Sequence, residues 1–144
     1  MINNSYLANK LFNNSCRLCS IADNISSCNI FFVMSNGTLV TPRLEDTILP
    51  GINRKSVLVL AGEAGMKTEE RRVSVKEVFA KARECFVTGT AAGVTPIQSI
   101  THEGKEAVFA KGEIGEVTHS LRRTLKGIQY GTVPDTHGWM FSTL

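Results

Sequence analysis

An Asn-Gly pair set between two β-prone runs restricts the fold of this chain more than any other feature. Ile30-Phe31-Phe32-Val33-Met34 comes before Ser35-Asn36-Gly37, and Thr38-Leu39-Val40-Thr41 comes after. Asn and Gly both tolerate the positive φ that a tight hairpin turn demands. The aromatic and β-branched residues on either side suit a pleated, buried surface. An antiparallel strand pair is therefore expected. That excludes an all-helical fold and a purely parallel sheet.

Helical patterns follow. After the Pro50-Gly51 turn, Val57, Leu58, Leu60, Ala61 and Ala64 share one helix face, and Gly65 is placed to end that helix. Ser74 and Glu77 have the spacing of a capping box. Val73 and Val78 sit where a hydrophobic staple would close, and the helix is expected to run through Phe79 toward Arg83. Cys85-Phe86-Val87 reads as a short buried strand leading into Thr88-Gly89-Thr90-Ala91-Ala92-Gly93. Residues 94–100 and 107–109 read as further strands, with Glu103-Gly104 as the turn between them. A last helix follows Gly115, with Val117, Leu121, Leu125 and Ile128 on one face, and residues 129–139 are turn-rich. The expected fold is α/β (α+β): a mixed sheet with a hairpin and flanking helices, over residues 29–144. Residues 1–28 read as an irregular leader, rich in Asn and Ser and holding three of the four cysteines.

The 144 residues fit one domain, and a 42% hydrophobic content is enough to fill its core. The net charge of +3 comes from basic residues scattered among acids. There is no Lys/Arg stripe with interleaved aromatics, so no nucleic-acid partner is expected. No apolar run approaches the ~18 residues of a membrane span. Met1-Ile2-Asn3-Asn4-Ser5 lacks the basic and apolar regions of a secretory signal, so the chain is expected to be cytoplasmic. Cys16-Arg17-Leu18-Cys19 has zinc or redox spacing, but no second such pair and no His pair accompanies it. Unpaired thiols are expected, and no metal.

Two segments are suited to an anion. Leu49-Pro50-Gly51-Ile52-Asn53-Arg54 leads directly into a helix, whose first-turn N–H groups lack partners and whose dipole end is positive. A tight turn there can seat a phosphate; alternatively, Asn53 simply caps the helix. The second segment is Thr88-Gly89-Thr90-Ala91-Ala92-Gly93, whose small residues let backbone amides close around an anion. It reads equally well as a bland tight turn. His102, His119 and His137 stand singly and read as structural or solvated, and no hydrolase, zinc-protease or nucleotide-loop motif is present.

Taken together, and in this order, the two segments resemble the phosphate loops of fold-type IV pyridoxal-phosphate enzymes. Thr47-Ile48-Leu49-Pro50-Gly51-Ile52-Asn53-Arg54 is similar to the pattern ILPG-[IV]-T-R, and Phe86-Val87-Thr88-Gly89-Thr90-Ala91-Ala92 to F-x-[ST]-G-T-A-A. Asn29-Ile30-Phe31-Phe32-Val33 resembles the corresponding strand of the branched-chain amino-acid aminotransferases. Gly112-Glu113-Ile114-Gly115-Glu116-Val117-Thr118 resembles their G-x-x-G-P-V-T helix entry, with Glu116 in place of proline. Gly127-Ile128-Gln129-Tyr130-Gly131 and His137-Gly138-Trp139 resemble their closing motif. The resemblance covers the carboxyl-terminal domain of that family. It implies pyridoxal 5'-phosphate as cofactor, amino acids and 2-oxo acids as substrates, and a place in branched-chain amino-acid biosynthesis.

The roles it implies are specific. Ile52 and Asn53 would offer backbone amides to the cofactor phosphate, Asn53 its side chain also, and Thr90 its hydroxyl. Leu49 would pack on the pyridine ring. Amides of Ala91 and Ala92 would meet the substrate carboxylate. Asn53 stands where the family usually has threonine, so Asn53→Thr is expected to strengthen cofactor binding. The family's Schiff-base lysine lies upstream of the Asn29 strand, and the surroundings of Lys10 do not resemble its motif. The remaining lysines read as solvated, so no catalytic residue is expected in this chain. Two readings follow: part of a transaminase for leucine, isoleucine and valine with 2-oxoglutarate, completed by another polypeptide; or a non-catalytic remnant of one. The expected protein partner is a complementing amino-terminal half or a further copy in a homo-oligomer. A D-amino-acid aminotransferase or aminodeoxychorismate lyase shares the two loops, but not the IQYG and HGW segments.

Overall fold

The computed structural model describes residues 28–44, 50–90 and 93–140; residues 1–27 of the expected leader lie outside them. Its strands are β1 (Asn29–Met34), β2 (Leu39–Thr41), β3 (Thr68–Glu70), β4 (Ala82–Gly89), β5 (Gly93–Pro96), β6 (Ser99–His102) and β7 (Lys105–Val108). Its helices are α1 (Ile52–Glu63), α2 (Val75–Lys81) and α3 (Glu116–Gln129). Five strands form one sheet in the order β3-β2-β1-β4-β5, and β6 and β7 form a separate two-stranded ladder. Only β2–β3 runs parallel in the larger sheet; its other pairs are antiparallel. The mixed sheet with flanking helices is the architecture expected from the sequence.

The hairpin forms, but of its two turn residues only Gly37 takes the positive φ; Asn36 contributes through its side chain instead. Gly37 has φ of 84°, and the amide of Thr38 donates to Asn36 Oδ1 at 3.0 Å. All six residues of β1 are buried, because both faces of this strand are covered. Side chains alternate across a strand. Phe31 and Val33 therefore face α1 and α3 together with Phe86, Val57, Leu60, Leu121 and Leu125. Ile30, Phe32 and Met34 face the other way, toward Val75, Val78, Ile100 and Phe109. Phe31 and Phe86 stack across the β1–β4 pair at 5.0 Å.

α1 ends at Gly65, as its position promised. Gly65 has φ of 80°; its amide reaches Gly62 O, and the Met66 amide reaches Ala61 O. These are the two reverse bonds of a Schellman end. α3 ends in the same way at Gly131, through Gly131 N to Ile128 O and Thr132 N to Gly127 O.

Four local expectations change. α2 stops at Lys81 rather than Arg83, because Ala82 is already extended and opens β4. β4 is eight residues long, not a short strand around Phe86. Residues 94–100 divide into β5 and β6, which belong to different sheets. The capping box is half formed: Ser74 Oγ accepts from the Glu77 amide at 3.1 Å, but Arg71 takes the Glu77 carboxylate at 2.6 and 3.0 Å. Val73 and Val78 are both buried in one cluster, as a staple requires.

Candidate functional site

The beginning of α1 lies against the end of the sheet. Gly51 precedes the helix as its extended N-cap residue, with no side-chain cap and no acid in the first turn. Asn53 is the second helical residue and does not cap the helix. Its Nδ2 instead donates to Gly89 O, at the end of β4, at 2.8 Å. Gly51 is pressed equally close: a Cβ added there would stand 2.4 Å from Asn29 Oδ1. Asn29 is itself opposite Thr88 in the β1–β4 ladder. The two segments suited to an anion, 36 residues apart in sequence, are thus in direct contact.

The other two helix starts are closed by side chains. Ser74 Oγ serves α2. At α3 the Glu84 carboxylate accepts from the Val117 amide at 3.2 Å, and from the Thr118 amide and hydroxyl at 2.8 Å each. Among the described α-helices, α1 is the one whose first-turn N–H groups meet no side-chain cap. Its dipole end is left positive and open to an anion.

Ile52 and Thr90 are exposed on either side of the Asn53–Gly89 contact, and Asn53 is half-buried. Leu49, Ala91 and Ala92 lie outside the described residues. A cavity of about 560 Å³ runs from Pro50-Gly51-Ile52-Asn53 toward Leu125 and Trp139. Thr90 is not part of its wall, so this cavity and the paired segments share Gly51 to Asn53 without forming one site. Arg54 is buried behind the first turn, bound to Glu70 at 2.7 Å and to Pro42 O at 3.0 Å. It fixes α1 to the β2–β3 side of the sheet.

The remaining candidates are structural. His137 Nε2 meets Glu63 at 2.9 Å, and its ring stacks on Trp139 at 4.3 Å. Burial pushes the Cys85 thiol well up from its ordinary pKa, so it stays protonated. Cys16 and Cys19 lie outside the described residues, among which no cluster of metal-ligating side chains occurs. No described helix is long and apolar enough to cross a membrane. The described lysines (55, 67, 76, 81, 105, 111 and 126) are all exposed.

The Amino-transferase class IV family matches residues 23–100. This chain belongs to that family. It is 48% identical over 126 residues to a branched-chain-amino-acid aminotransferase of Mycobacterium tuberculosis (strain CDC 1551 / Oshkosh), a match covering 82% of this chain and 34% of that protein. The solved branched-chain aminotransferase from Escherichia coli superposes with a TM-score of 0.69 at 34% identity, covering 81% of this chain and 37% of the other. The T.th. branched-chain aminotransferase complexed with N-(5'-phosphopyridoxyl)-L-glutamate gives 0.69 at 31% identity, covering 80% and 36%. The chain therefore spans about a third of the length of these relatives.

Three residues that hold these elements in place, Arg54, Asn29 and Glu84, carried no role of their own in the sequence. Arg54 and Asn29 were visible only as parts of motifs. Glu84 carried no local signal, because the amides it accepts from lie 33 and 34 residues further on.

Proposed function

We propose that this chain supplies the cofactor-phosphate seat of a pyridoxal 5'-phosphate-dependent branched-chain aminotransferase. The reaction is transfer of an amino group from leucine, isoleucine or valine to 2-oxoglutarate. The observation that carries this reading is the Asn53–Gly89 contact, which sets an uncapped, acid-free helix start beside a turn of small residues. A phosphate fits there: backbone donors face it, and no carboxylate of the first turn opposes it.

Ile52 and Asn53 would give backbone amides, and Thr90 its hydroxyl. Leu49 would pack on the ring, while Ala91 and Ala92 would receive the substrate carboxylate. The cofactor, when bound, supplies the amino-group carrier and the electron sink that no side chain provides. The proton-shuttling amine would come from another part of the enzyme, because no lysine here stands in surroundings that resemble the family's lysine motif.

The test is calorimetric titration of the chain with pyridoxamine 5'-phosphate, which binds without a lysine. Saturable binding is expected, with inorganic phosphate competing and phosphate-free pyridoxamine binding much more weakly. Equal binding of the two pyridoxamines would overturn the phosphate seat. A second reading is a non-catalytic relative that keeps the seat. Mixing with a lysine-bearing amino-terminal half separates the two, since only the first then transfers amino groups.

A further inference from the structure

We infer that Asn53 is a positioning residue: its side-chain amide sets the separation of the two anion-binding segments and is not itself a ligand. The inference rests on the phosphate-seat reading and adds a regulator of its geometry. The Nδ2 donor is already directed at Gly89 O at 2.8 Å. That carbonyl belongs to the last residue of β4, where the ladder ends at the Gly89–Gly93 pair and the turn begins. On the other side, Gly51 has no space for even a Cβ against Asn29. The start of α1 is therefore held from two directions, pressed onto Asn29 and drawn to Gly89. Elsewhere α1 is held by Arg54, bound to Glu70 and Pro42 O on the β2–β3 side, and by apolar side chains such as Val57 and Leu60 packed with Phe86; none of these reaches the Gly89-Thr90 turn.

A hydrogen bond at this point supplies what those contacts lack, a fixed offset between the first-turn amides of α1 and the Gly89-Thr90 turn. The N-cap residue is Gly51, which has no side chain, so the first-turn N–H groups stay free for an anion. The threonine that the resembling family carries here would not reproduce this. Its hydroxyl is one bond from Cβ, where Nδ2 is two, so it falls short of Gly89 O. The gain expected from that hydroxyl is offset by loss of the tether.

The experiment uses the full chain with pyridoxamine 5'-phosphate as probe, and hydrogen exchange at the Gly89 and Thr90 amides as a second readout. Asn53→Ala is expected to weaken binding roughly tenfold, a single hydrogen bond's worth, and to speed exchange at Gly89 and Thr90 before any ligand is added. Asn53→Thr is expected to bind no more tightly than the parent and to show the same faster exchange. If Asn53→Thr binds more tightly, or if exchange is unchanged while affinity falls, Asn53 is a ligand and the inference is overturned. Normal binding by both variants overturns it as well. A parent chain that does not bind the probe overturns the phosphate seat itself, and this inference with it.

Discussion

A single carboxylate shows how much a residue's neighbours decide. Glu84 is buried, yet it accepts two amides and a hydroxyl at the start of α3. Hydrogen bonds to a charged group contribute roughly 1.5–3 kcal/mol, and orphaned buried donors cost about as much. Glu84→Ala is therefore expected to lower unfolding free energy by about 3 kcal/mol in urea melts. Gly115 is needed for the same reason. Its φ of −68° suits any residue, but an added Cβ would stand 2.0 Å from Glu84 Cδ. Gly115→Ala should destabilise the fold by about 2 kcal/mol, within the range of core overpacking. The control is Gly62→Ala in α1, where a new Cβ meets nothing within 4 Å. That change should stabilise by roughly 0.5–1 kcal/mol through helix propensity; a loss there would undo the steric argument. Gly115 was legible in the sequence as a helix start. Glu84 was not, because its partners lie 33 and 34 residues away.

Elements were legible where local chemistry decides them. The Asn36-Gly37 hairpin, the Gly65 helix end and the Ser74 cap each depend on a few adjacent residues, and each forms. β3 was invisible. Thr68-Glu69-Glu70 has no apolar alternation, and it becomes a strand only because β2 offers an edge to pair with. A short charged strand at that place protects the sheet edge. Its charges also bind α2 to the sheet, since Arg71 bonds both Glu69 and Glu77. The Arg71 guanidinium holds the Glu77 carboxyl below its ordinary pKa, and that of Glu69 likewise. A carboxyl with a depressed folded pKa adds stability above its unfolded pKa and loses it as pH falls through the folded value. Thermal stability should thus decline as pH drops below about 4.5. In Arg71→Gln the midpoint at pH 7 should be lower and this acid dependence shallower. Parallel pH profiles for parent and variant would remove Arg71 from the explanation.

At the scale of the whole molecule, the sheet is covered on both faces while the candidate site sits at its end. The core was legible because a strand buried on both sides must be apolar throughout, as residues 30–34 are. The meeting of residues 53 and 89 was not legible from periodicity. It arises only when α1 packs across β1 and β4, and before that only family resemblance joined the two loops. The same placement leaves apolar surface bare. Ile52 is 85% exposed, Tyr130 79%, Met140 48% and Leu44 46%. Ile52, Met140 and Leu44 all border the cavity beside the site, with Trp139 and Leu58 on its wall. Patches of clustered apolar side chains on a soluble domain mark surfaces that associate. The 144-residue chain on its own is therefore expected to self-associate with rising concentration in sedimentation velocity. Ile52→Ser should reduce that association without altering the circular dichroism spectrum, because Ile52 contributes almost nothing to either core cluster. A chain that stays monomeric over a wide concentration range would show that the patch is too small to drive contact. Association that Ile52→Ser leaves untouched would place the contact away from the α1 start, toward Tyr130 or the exposed Val108 of β7.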